Sequence, residues 1–185
     1  MTTHYFIGIP VSDEIQEKLT EWQETLRSSM SYRTWTHPED FHITLKFLGP
    51  ASDDKIRKLI HDLEESRWPS PFTLDIGPAS SFGDSEQPRV FHARVESHSA
   101  LVEMKNQVET LSETYGWERE KRPFRPHVTL AKKNPEGVSP LIQQNQGVLE
   151  DVYAFEVNRC ILYRIHPGQI KKYEAIAIIY LREEE

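Results

Sequence analysis

The chain has 185 residues, 37% hydrophobic and 28% charged, with a formal net charge of −7 and a single cysteine. Such a composition carries enough apolar material for a core, which excludes widespread disorder. The negative balance argues against a protein that wraps long nucleic acid by neutralising phosphates, but leaves room for a local pocket that binds one terminal phosphate. Cys160, being alone, excludes an internal disulfide and a cysteine-built metal site. No apolar run approaches the roughly 20 residues of a membrane span. The start, Met1-Thr2-Thr3-His4-Tyr5, lacks the layout of a secretory signal, so a cytoplasmic protein is expected.

In chain order, Tyr5-Phe6-Ile7-Gly8-Ile9 is β-prone, and Ser12 sits where a helix N-cap belongs. Ile15, Leu19, Trp22 and Leu26 then recur at helical spacing. A proline-marked loop leads to a strand holding His42-Ile43-Thr44-Leu45. A second helix is predicted over Asp53 to Glu65, with Ile56, Leu59, Ile60 and Leu63 on one face, and a strand over Phe72–Ile76. Val90 to Val95 reads as a strand, Ser97 as the next cap, and Leu101, Met104, Val108 and Leu111 as a third helical stripe. A strand with His127-Val128-Thr129-Leu130 follows, then a short, weak helical segment near Pro140 to Gln144. Further strands are predicted at Tyr153–Val157, Cys160–Ile165 and Tyr173–Leu181. Elements that do not alternate strictly as βαβ predict an α+β fold with antiparallel sheets. The acidic end, Leu181 to Glu185, reads as a solvated tail.

The chain also repeats itself. Sliding it by 85 residues aligns 6–50 with 91–135 without a gap, giving ten identities in 45 pairs where chance gives about three. Among them Pro38 meets Pro123, His42 meets His127, and Thr44-Leu45 meets Thr129-Leu130. Duplication of one unit predicts a single domain over 1–185 built as two lobes about a pseudo-twofold axis, with a cleft between them and helices outside.

Residues i and i+2 of a strand share a face. His42 therefore projects with Thr44, and His127 with Thr129, while Ile43, Leu45, Val128 and Leu130 face an apolar side. Two histidines and two hydroxyls converging across a cleft suit phosphoryl chemistry. One neutral imidazole takes a proton from water and a protonated one gives a proton to the departing alkoxide, both near their ordinary pKa. The hydroxyls can grip the non-bridging phosphate oxygens. Two histidines with no nearby carboxylate or thiolate make a poor zinc set, so neither a metal nor a cofactor is expected.

The segments Phe41-His42-Ile43-Thr44-Leu45-Lys46-Phe47-Leu48-Gly49 and Arg125-Pro126-His127-Val128-Thr129-Leu130-Ala131 resemble the paired HxTx signatures of the 2H phosphoesterase superfamily. Within it the chain is similar to the bacterial RNA 2′,3′-cyclic phosphodiesterases, the 2′-5′ RNA ligases of the LigT type. The resemblance implies a bilobal α+β fold and hydrolysis of an RNA 2′,3′-cyclic phosphate to a 2′-phosphate without metal. It also implies His42 as proton donor, His127 as proton acceptor, and Thr44 and Thr129 as phosphate ligands. Lys132 stands where the family commonly has arginine, and Leu162 to His166 lack the family's usual serine. Other reactions open to such a chain are 2′-5′ RNA ligation, opening of a cyclic phosphate on ADP-ribose, or nucleotide binding without turnover.

Arg125, two residues before His127, and Lys46, which shares the parity of His42 and Thr44, are further candidates for the substrate phosphate. Phe6, Trp35, Phe82 and Phe91 are candidates for stacking on a base. The remaining histidines, His4, His37, His61, His92, His98 and His166, are expected to be ordinary core or surface residues. The expected partner is an RNA or oligonucleotide ending in a 2′,3′-cyclic phosphate, bound by a monomer.

Overall fold

A computed structural model of the chain describes residues 2–30, 32–83, 88–133 and 150–184. The strand β1 (His4–Pro10) is followed by α1 (Asp13–Leu26), the short β2 (Thr34–Trp35), β3 (His42–Pro50), α2 (Asp53–Glu65) and β4 (Phe72–Gly83). Then come β5 (Pro88–Val95), α3 (Ser99–Thr114), β6 (His127–Lys132), β7 (Tyr153–Val157), β8 (Arg159–Ile165) and β9 (Tyr173–Tyr180). Every strand pairing is antiparallel, in the order β7-β4-β5-β6-β3-β1-β8-β9, with β2 added alongside β6. The predicted α+β class with antiparallel strands is what the chain adopts, the strands joining in one sheet.

The helices form where the apolar stripes lie. Ile15, Leu19, Trp22 and Leu26 of α1 and Leu101, Met104 and Val108 of α3 are buried in one continuous core beneath the sheet. Ser12 caps α1, its hydroxyl accepting the Ile15 N–H at 3.3 Å, with Asp13 and Glu14 in the positive first turn. Ser97 does not cap α3. His98 does, its Nδ1 accepting the Ala100 N–H at 3.1 Å. The strand predicted at Phe72–Ile76 continues to Gly83, because a register shift between Ile76 and Ala79 absorbs Gly77-Pro78 instead of ending the ladder. The helical segment predicted near Pro140 to Gln144 lies outside the described residues. Among the described residues no helix is long and apolar enough to cross a membrane.

The two motif strands pair at Ile43 of β3 opposite Val128 of β6. Residues 85 apart thus face each other across an antiparallel ladder, the arrangement a local twofold requires. The match of 85 does not hold throughout. Thr44 pairs with Gly8 but Thr129 with His92, so the first strands of the halves are offset by 84. Phe6 consequently faces the cleft whereas Phe91 lies wholly in the core.

Candidate active site

Each motif strand carries a bulge one residue after its threonine. Along β3, Gly8 pairs with Thr44 and Ile7 with Lys46, leaving Leu45 as the extra residue; along β6, His92 pairs with Thr129 and Phe91 with Ala131, leaving Leu130. A bulge reverses which face the following residues take. Both Leu45 and Lys46 are therefore buried, and Phe47, 60% exposed, takes the cleft face. In β6, Ala131 is buried and Lys132 emerges on the side of His127 and Thr129.

That reversal corrects the expectation for Lys46. Its ammonium is 2.7 Å from Glu109 and 2.9 Å from the Glu118 carbonyl, and the residue is only 7% exposed. Lys105 joins the same carboxylate at 2.6 Å. Burial raises the Glu109 pKa, but the two ammonium groups outweigh it and hold the carboxyl below its ordinary range. Lys46 ties β3 to α3 and is not free to meet a phosphate.

His42, Thr44, His127, Thr129 and Lys132 line one cavity of about 230 Å³. Each histidine is oriented by the carbonyl two residues before it. His42 Nδ1 donates to Asp40 O at 2.7 Å, and His127 Nδ1 to Arg125 O at 2.8 Å. These bonds select the tautomer that leaves Nε2 without a proton. Nε2 of His42 accepts the Thr44 hydroxyl at 2.9 Å, a bond with no counterpart between His127 and Thr129 among the described residues. The backbone of Arg125 thus orients His127. Its guanidinium is exposed and lines a larger groove of about 720 Å³ beside Phe47, Phe82, Arg122 and Phe124.

The surroundings of the two rings differ. Behind His42 stand Phe6 at 4.6 Å between ring centroids and Tyr173 at 5.2 Å, with Tyr163 stacked on Phe6 at 4.8 Å. Gly8 lies directly beneath, where a Cβ would come within 2.9 Å of the Ile43 carbonyl and 3.1 Å of His42 Cδ2. The matching place under His127 holds His92, 5.1 Å away and stacked on Phe82 at 4.0 Å. His92 is 3% exposed, and neither of its ring nitrogens has a hydrogen-bond partner among the described residues.

Burial pushes His42 down to about 4, against the Asp40 carbonyl bond, with positive charge at His127 and Lys132 adding to the fall. His127 is lowered by burial and opposed by its own carbonyl bond, to Arg125. His92 is also pushed to about 4, by burial first and then by charge on His127. Burial lowers Lys132, and the nearby Lys172 and Lys133 lower it further.

Strand alternation counts Lys132 out of this face, and only the family resemblance pointed to its position; His92 and Tyr173 were missed altogether. So was Lys172, which is 132 residues from Asp40 yet gives it a backbone hydrogen bond of 2.7 Å. Of the aromatic candidates, Phe6 and Phe82 flank the histidines, Trp35 lines the cavity edge, and Phe91 is core.

The sequence matches the 2′-5′ RNA ligase superfamily over residues 11–169. It is 32% identical over 176 residues to the Bacillus subtilis (strain 168) protein named RNA 2′,3′-cyclic phosphodiesterase, covering 94% of this chain and 93% of that one. A Geobacillus stearothermophilus protein of the same name is 33% identical over 177 residues, covering 95% of this chain, which spans only 56% of that relative's length. Among solved structures, E. coli LigT complexed with 3′-AMP superposes with a TM-score of 0.81 at 22% identity, covering 99% of this chain and 100% of that one. A Thermus thermophilus protein, TT0787, does so with a TM-score of 0.75 at 22% identity, covering 98% and 100%. The solved structures carry the fold and the sequence matches carry the kinship: the chain belongs to the 2′-5′ RNA ligase superfamily.

Proposed function

We propose that this protein hydrolyses the 2′,3′-cyclic phosphate at an RNA end to a 2′-phosphomonoester, by acid–base catalysis from two histidines and without a metal. One observation carries the reading: two carbonyl-oriented imidazoles and two threonines line a single cavity. The names of the relatives point to the same substrate. In this scheme Thr44, Thr129 and Lys132 hold the phosphate. Water attacks phosphorus and yields its proton to His127 Nε2, the P–O3′ bond breaks, and O3′ takes a proton from His42 Nε2. One chain contains both motifs, so a monomer in the cytoplasm is sufficient.

The assignment of acid and base within the pair follows the family resemblance. As the side chains stand, His42 has its pKa near 4 and accepts a bond from Thr44, which favours the opposite roles. A bound phosphate anion stabilises protonated imidazole and reverses that disadvantage. The groove beside His127 gives ligation a place as the second reading, because an RNA 5′-hydroxyl replacing water would lie there.

The test is turnover of a nucleoside 2′,3′-cyclic phosphate in EDTA. His42→Ala and His127→Ala should each lower kcat by ~10²–10⁴-fold. Undiminished turnover in either variant, or none in wild type with tight product binding, overturns the proposal. A substrate with sulfur in place of O3′ needs no acid, so it should rescue His42→Ala alone; rescue of His127→Ala instead would exchange the roles.

A further inference from the structure

Lys132 and Lys172 are two half-buried lysines in a chain of net charge −7, and neither has an ion pair with any described residue. Both line a cavity of about 310 Å³ with Phe6, His42, Thr44 and Tyr173, and both also line the smaller cavity that holds the two motifs. They are close enough for the charge on Lys172 to depress Lys132. Like charges are not gathered in a partly desolvated place without cost.

The position of Lys172 is built in. Asp40 is buried, and its carboxylate accepts the backbone N–H of Lys172 at 2.7 Å and of Tyr173 at 3.3 Å. The carboxylate thus holds the main chain and leaves the ammonium unspent. The carbonyl of the same residue orients His42. Asp40 therefore sets the place of Lys172 relative to the imidazole, as a positioning residue.

Resting on the proposed function, we infer that Lys172, next to the Lys132 that holds the cyclic phosphate, binds a second phosphate of the substrate, the one attached to the 5′ oxygen of the terminal nucleoside. The sugar dictates which flank that phosphate reaches. The leaving O3′ sits on C3′, whose neighbour C4′ carries C5′ and the 5′ oxygen. If O3′ departs toward His42, the 5′ substituent runs along the His42 flank, where Lys172 lies. The substrate class is then a cyclic-phosphate end with a 5′ phosphate group, not an isolated nucleoside cyclic phosphate. That group can be a phosphomonoester on a mononucleotide or the phosphodiester of an RNA chain.

The experiment compares three substrates: a nucleoside 2′,3′-cyclic phosphate, the same compound with a 5′-phosphate, and a dinucleotide ending in the cyclic phosphate. Lys172→Ala should raise KM for the second and third about tenfold more than for the first, and should flatten the salt dependence of binding by the equivalent of about one phosphate contact. Lys172→Arg, which keeps the charge, should retain most of the preference. A selective loss on the 5′-phosphate alone assigns the site to a phosphomonoester; a loss on both assigns it to either kind of 5′ phosphate. Equal losses on all three substrates, or no loss on any, overturn the inference. Binding of a nucleoside 2′,5′-bisphosphate against the 2′-monophosphate, measured by calorimetry, reads the subsite without turnover. If wild type turns nothing over, the proposed reaction fails while the binding ratio still decides this inference.

Discussion

The two halves of the cleft present the same motif in different settings, and the difference is most visible one layer behind the histidines. Behind each bulge lies the extra residue's carbonyl, Leu45 O or Leu130 O; Leu130 O accepts the Thr36 N–H at 3.0 Å, and each of the two carbonyls also has a side-chain donor. That donor comes from a helix of the opposite half: Lys105 of α3 bonds Leu45 O at 2.7 Å, and Gln23 of α1 bonds Leu130 O at 3.0 Å. Gln23 and Glu109 hold matching places in the buried stripes of their helices. One carbonyl is met by a neutral amide and the other by a buried Lys46–Glu109–Lys105 cluster. The lesson is that twofold geometry was kept where it positions the motifs, while the chemistry that supports it diverged.

The sharpest way to break this comparison is to remove its ionic side. Glu109→Gln leaves Lys46 buried with no counter-charge and should cost about 3–5 kcal/mol. Gln23→Ala, which removes the neutral equivalent, should cost about 1–3 kcal/mol. Urea unfolding of the two variants measures both, and equal losses would mean that the Glu109 cluster is no more than a neutral bridge.

Gly8 against His92 is the next asymmetry. Gly8→Ala drives a Cβ into the Ile43 carbonyl and His42, so a loss of about 1–3 kcal/mol is expected, with kcat falling as the ring moves. A variant with unchanged kcat and stability would show that the flank yields without cost.

The effect that appears only on acidification concerns His92. Its pKa, like that of His42, is near 4 when folded, against 6.5 for free imidazole. Between those values the unfolded chain binds protons that the folded protein does not. The stability these groups contribute is therefore complete above about pH 6.5 and is lost as pH falls toward 4. His92→Phe preserves the stack on Phe82 and removes one such group. Between pH 7.5 and 5, wild type should lose about 2 kcal/mol more than the variant. Equal losses would show that His92 protonates freely in the fold.

The extent to which this molecule can be read from its residues is uneven for a physical reason. Apolar spacing placed α1, α2 and α3, because a helix's period is local. The two His-x-Thr pairs were legible for the same reason: residues two apart on a strand share a face over so short a span. The outcome for Lys46 and Lys132 was not legible, since alternation assumes an uninterrupted ladder and the bulges at Leu45 and Leu130 are set by the partner strands. Ser97 and His98 compete for one cap within a single residue of each other, a choice made by how the chain leaves β5.

By itself, then, the sequence determined the class of fold, the core stripes and the four residues at the centre of the cleft, all of which follow from period and local spacing. Only the tertiary structure decided which cations reach that cleft. Lys46 is drawn into a buried cluster by α3, Lys132 is turned outward by a bulge, and Lys172 is brought beside it by Asp40 across 132 residues of chain. Such long-range pairings depend on register and on hydrogen bonds between distant segments, which no local pattern encodes.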